Sequence, residues 1–182
     1  MTRKRTWNWI VAGLIIVLLG VTVYRNLAAG RERAEAIPAD TAPEPGFASP
    51  PLRLQSLEGK EVSVGGPREK PLVLNYWASW CKPCEKELPD LQALYAKYGD
   101  RLDIYGVNAT FQDEPELARR KAADLGLTFP ILLDTDGTAV SRYKIITIPT
   151  SFLIGKDGRI AEIVHVMERE ELEKKFVELL KR

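Results

Sequence analysis

A nearly continuous apolar run, Pro71-Leu-Val-Leu-Asn-Tyr-Trp, is followed four residues later by Cys81, then Cys84, then a helical repeat of leucines. That order constrains the chain more than any other feature. An apolar run of this length suits a strand buried on both faces. Leu88, Leu91, Leu94 and Tyr98 recur at helix spacing, and Gly99 ends the pattern. The two cysteines are therefore expected at a strand-to-helix junction, Cys81 near the helix start and Cys84 in its first turn.

The chain has only these two cysteines. A structural disulfide framework needs more of them at wider spacing. A structural zinc site needs four ligands. The one histidine, His165, is far away in sequence, so a zinc site would have to recruit carboxylates. Thiol chemistry is the better reading. Thiolate is the reactive form, and a helix N-terminus lowers a cysteine pKa by offering unpaired N–H groups and a favourable dipole. Lys82 and Lys86 add positive charge, and Pro83 suits a first helical turn. The expected division of labour makes Cys81 the exposed attacking thiol and Cys84 the resolving one.

Around this junction the pattern alternates between strands and helices. Leu52–Leu57 and Val62–Val64 flank Gly59 as an early hairpin. Leu102–Asn108 and Phe129–Leu133 read as strands, with a helix over 114–125 between them. Thr150–Ile154 and Arg159–Val164 form a late hairpin, expected at the sheet edge. A helix over 168–181 closes the chain. The class is α/β, with a parallel βαβ core and antiparallel additions.

The first 33 residues carry six basic groups and one acid, leaving 20 basic against 24 acidic groups in the rest. A mildly acidic body argues against nucleic-acid binding. Ile10–Val23 is apolar and uncharged, with Trp7, Trp9 and Tyr24 at its borders. Residues 6–24 approach the ~20 needed to span a bilayer. We read 1–29 as a transmembrane anchor and, from Arg3, Lys4 and Arg5, place the body outside the cytoplasm. A cleaved signal peptide has the same layout. Residues 30–50, with four prolines, read as a flexible linker, and 51–182 as one domain.

Asn75-Tyr-Trp-Ala-Ser-Trp-Cys-Lys-Pro-Cys-Glu-Lys-Glu-Leu-Pro resembles the active-site segment of thioredoxin-fold proteins, in the form of the ResA/TlpA group of membrane-anchored thiol–disulfide oxidoreductases. Pro89 stands where that family has a proline within the helix, and Ile148-Pro149-Thr150 looks like its cis-proline loop. The resemblance implies a thioredoxin-like fold: a central mixed sheet flanked by helices, an N-terminal hairpin and a helical insertion near 113–129. It implies a redox-active Cys81–Cys84 disulfide with no other cofactor and no metal. It implies that Trp80, Ile148 and Pro149 meet the client, Ile148 by backbone pairing with a substrate strand. Thioredoxin's buried aspartate maps to Asn75, which cannot titrate, so Glu87 is expected to manage protons for Cys84. The implied partners are disulfide-bearing clients such as apocytochrome c, and a transmembrane reductant of the CcdA type. Two alternatives use the same fold. A thiol peroxidase needs Thr-x-x-Cys, where this chain has Ala78. A copper carrier of the Sco type resembles CxxxC plus a distant histidine.

Overall fold

The computed structural model describes residues 17–22 and 40–181. Residues 17–22 are helical. The rest of the expected anchor, 1–29, lies outside the described residues. Among those that are described, no helix is long and apolar enough to cross a membrane.

The body contains seven strands: β1 (Leu52–Ser56), β2 (Glu61–Val64), β3 (Leu72–Trp77), β4 (Asp103–Asn108), β5 (Ile131–Leu133), β6 (Thr150–Ile154) and β7 (Ile160–Val164). They form one sheet in the order β2-β1-β5-β4-β3-β6-β7. β3 runs parallel to β4, and β4 parallel to β5, while the other pairs are antiparallel. The helices are α1 (Lys82–Tyr98), α2 (Pro115–Asp124), α3 (Thr138–Arg142) and α4 (Arg169–Leu179). This is the mixed sheet of a thioredoxin-like α/β fold.

β3 explains why the core has two halves. All six of its residues are buried. Side chains alternate across a strand. Val73 and Trp77 join one cluster with Leu88, Leu91 and Leu94 of α1, Ala118 and Ala122 of α2, and Leu172 and Phe176 of α4. Leu72, Leu74 and Tyr76 join the other, with Ala139, Tyr143 and Phe152. Gly106 on β4 is glycine for want of room, since a Cβ there would meet Ile131 Cδ1 at 2.9 Å and Trp77 Nε1 at 3.1 Å.

Three features depart from the sequence reading. β6 is an interior strand between β3 and β7, so only β7 of the late hairpin lies at the edge; all five β6 residues are buried, as that position demands. The short helix α3 carries no repeat long enough to detect, and Asp134 starts it by accepting from Ala139 N and Val140 N, both at 2.9 Å. Residues 40–50, part of the segment read as linker, are packed against the body. Gly46 N donates to Ile160 O at 2.8 Å, Ile160 N to Phe47 O at 2.9 Å, and Ser49 N to Gly158 O at 2.9 Å.

Candidate active site

The junction after β3 places Cys81 at the N-cap of α1, with Pro83 in the first turn. Ligand sites of open α/β sheets lie beyond the carboxyl ends of the strands, and Cys81 stands there. Cys81 and Cys84 are joined by a disulfide, with Cα atoms 5.3 Å apart. Cys84 N donates to Cys81 Sγ at 3.2 Å. On reduction the same N–H and the helix start favour a thiolate on Cys81. The expectation of an exposed Cys81 needs correction. In the disulfide form Cys81 is only 4 % exposed, because it is packed in the core cluster with Trp77, Ala78 and Leu88.

A second loop comes to the same place. The Ile148–Pro149 peptide bond is cis, and the Ile148 carbonyl oxygen lies 3.8 Å from Cys81 Sγ. Trp80 is 56 % exposed, and its indole Nε1 donates to Gln112 O at 3.1 Å. The structure thus gathers Cys81, Cys84 and Ile148, with Pro149 and Trp80 adjoining them in the chain. Lys82 is drawn aside, its Nζ 3.5 Å from Glu85 Oε2, which Lys121 Nζ also meets at 3.3 Å.

Beneath the pair, Glu87 is 5 % exposed. Its Oε1 accepts from Asn75 Nδ2 at 3.1 Å, and the same amide donates to Ser151 Oγ at 2.9 Å. Ser151 lies directly opposite Asn75 in the β3–β6 register. Among the described residues, Glu87 Oε2 and Asn75 Oδ1 are buried without a hydrogen-bond partner. Burial, helped by the charge of Asp90, pushes the Glu87 carboxyl up to about 7. Glu87 lies three residues after Cys84 on the same helix.

A further cluster escaped the sequence reading. Asp113 accepts from Ser79 N and Ser79 Oγ, each at 2.6 Å, from Asn108 Nδ2 at 2.8 Å and from Glu114 N at 2.9 Å. Burial would raise its pKa, but these bonds hold it below the usual range. The cluster ties the turn before Cys81 to the end of β4. No sequence signal marked it, because Ser79 and Asp113 are 34 positions apart.

His165 is exposed just past β7, with Nδ1 3.1 Å from Thr150 Oγ1. Among the described residues, no group of three or more His, Cys, Asp or Glu side chains could hold a metal ion.

Residues 45–163 match the model of the AhpC/TSA family. The chain is 34% identical over 182 residues to the thiol-disulfide oxidoreductase ResA of Halalkalibacterium halodurans, covering 98% of this chain and 97% of that one. The chain belongs to this family of ResA-type thiol–disulfide oxidoreductases. It is also 32% identical over 171 residues to the thioredoxin-like protein YneN of Bacillus subtilis, covering 93% and 96% of the two chains. The crystal structure of StoA from Bacillus subtilis superposes with a TM-score of 0.61 at 32% identity, covering 71% of this chain and 98% of that one. Membership fixes the reaction class of the Cys81–Cys84 pair as thiol–disulfide exchange.

Proposed function

We propose that the protein reduces disulfides in client proteins outside the cytoplasm, such as apocytochrome c, held at the membrane by residues 1–29 and joined to its thioredoxin-like domain by a linker. The observation that carries this reading is the pairing of an N-cap cysteine, bonded to its neighbour one turn on, with the Ile148 carbonyl 3.8 Å away. Reduced Cys81 attacks a client sulfur as thiolate, forms a mixed disulfide and expels one client thiolate. Cys84 then attacks Cys81 Sγ, closes the Cys81–Cys84 disulfide and releases the second thiolate, so two electrons pass to the client. Glu87 takes the proton from Cys84 as it becomes the nucleophile. Trp80, Ile148 and Pro149 face the client strand, which pairs with the Ile148 backbone. A membrane reductant of the CcdA type returns the two electrons. Tethering keeps the domain near both partners at high effective concentration. The basic Arg3, Lys4 and Arg5 support an N-terminus in the cytoplasm.

The test uses reduced protein and a disulfide-closed Cys-x-x-Cys-His peptide. The expected result is stoichiometric reduction of the peptide, with Cys84→Ser trapping a mixed disulfide and Cys81→Ser inert. A reduction potential near thioredoxin's, about −270 mV, supports a reductant; one near about −120 mV reverses the direction.

A further inference from the structure

The loop that brings Ile148 to Cys81 is closed by one hydroxyl group. Thr150 Oγ1 lies 2.7 Å from the carbonyl oxygen of Thr147 and 3.1 Å from Nδ1 of His165. A carbonyl oxygen only accepts, so the threonine hydrogen must lie between the two oxygens. A hydroxyl has a single hydrogen. The ring nitrogen must then be the donor, which fixes a proton on Nδ1.

The sheet explains why the ring is there. Ser151 pairs with Val164 across β6 and β7. Continuing that antiparallel register by one residue sets His165 against Thr150. Thr150 is itself the first residue of β6 and is held to β3 opposite Tyr76. Beyond it Pro149 has no N–H to offer, so the Thr150 side chain bridges back to Thr147 instead. His165 is the chain's only histidine.

We propose that His165 is a positioning residue for the client-binding loop. By donating from Nδ1 it holds the Thr150 hydroxyl on Thr147 O, and so keeps the Ile148 carbonyl aimed beside Cys81. The proposal deepens the client reading above and rests on it, since a client strand is what a fixed Ile148 backbone would receive. A small disulfide, which needs only the sulfur, would not notice the difference.

The experiment compares His165→Ala, His165→Gln and His165→Asn with the native protein on two probes, insulin as a protein disulfide and 5,5′-dithiobis(2-nitrobenzoate) as a small one. Asparagine can put an N–H near the place of Nδ1, whereas glutamine reaches toward Nε2. Loss of one hydrogen bond predicts a KM for insulin about three- to tenfold higher in the alanine and glutamine variants, with kcat kept. The asparagine variant should recover to within about twofold. Rates with the small disulfide should be unchanged in all three. A two-dimensional 1H–15N spectrum of the native imidazole should show Nδ1 protonated. An unprotonated Nδ1, an unchanged insulin KM in His165→Ala, or equal losses on both probes would overturn the positioning role alone. Native protein that reduces the small disulfide but leaves insulin untouched would remove the client reading and this one together.

Discussion

Two carboxylates flank the redox pair, and their surroundings treat them oppositely. Asp113, bonded to Ser79 in the turn before Cys81, gathers four hydrogen-bond donors and is held as an anion. Glu87, behind Cys84, is more deeply buried yet receives a single donor, the Asn75 amide, and its pKa rises to about 7. Burial pushes both carboxyls up, and only Asp113 has enough donors to reverse the effect, because each bond to the ionised form offsets part of the desolvation cost. Asp113 fixes the turn that presents Cys81. Glu87 is left short of partners, which suits the proton-carrying role proposed for it.

The strongest way to break this comparison is to add charge where donors are scarce. Asn75 is 1 % exposed. Asn75→Asp would replace the amide that donates to Glu87 with a second carboxyl. We expect a loss of about 4 kcal/mol at pH 8, largely regained at pH 5, where such a pair keeps its protons. Guanidinium titrations at the two pH values read this directly. An equal loss at both would mean that shape, not charge, dominates behind Cys84.

Glu87→Gln gives the next effect, and its sign follows from linkage. The folded carboxyl titrates at about 7 against an ordinary 4.5, so between these values the folded state holds more proton than the unfolded one. Stability contributed by the neutral carboxyl is complete below about pH 4.5, declines as pH rises and is lost above about pH 7. Glutamine removes that decline. The variant should gain up to about 3 kcal/mol relative to the native protein on going from pH 4 to pH 8. Its Cys84 titration, followed by alkylation, should shift as well; an unmoved titration would reject Glu87 as the proton carrier.

Asp113→Ala should cost less, about 2 kcal/mol, since its site is half-buried and water can replace some donors. Urea unfolding measures it, and Asp113→Asn should restore roughly half. Alanine with no cost would show that the Ser79 turn is held by Trp80 and Gln112 alone. The smallest effect belongs to Ser151→Ala. It removes an acceptor from Asn75 without touching Glu87 and should cost about 1 kcal/mol. A much larger loss in thermal unfolding would mean that Ser151, rather than Asn75, governs the arrangement.

Most of this fold was legible as local pattern. The apolar run at 72–77, the leucine spacing through 94 and the glycine turns at 59 and 158 mark elements that the structure contains. The redox pair was legible too, because two cysteines at a strand-to-helix junction have few other uses. The titrating neighbour, Glu87, was visible only as a residue on the right face of a helix. Its elevated pKa depends on β3 and β6 closing over it.

What the sequence determined by itself is the order and type of elements and the placing of Cys81 and Cys84 at a helix start, because both follow from periodicities of two and 3.6 residues and from helix-end chemistry. Tertiary structure alone decided which distant residues meet. It docked the early hairpin onto the sheet through Gln55 and Leu133, set Ser151 against Asn75 across 76 positions, and hid Cys81 under the Ile148 loop. The reason is that strand register between remote segments is a property of the assembled core, and no periodicity within either strand specifies its partner.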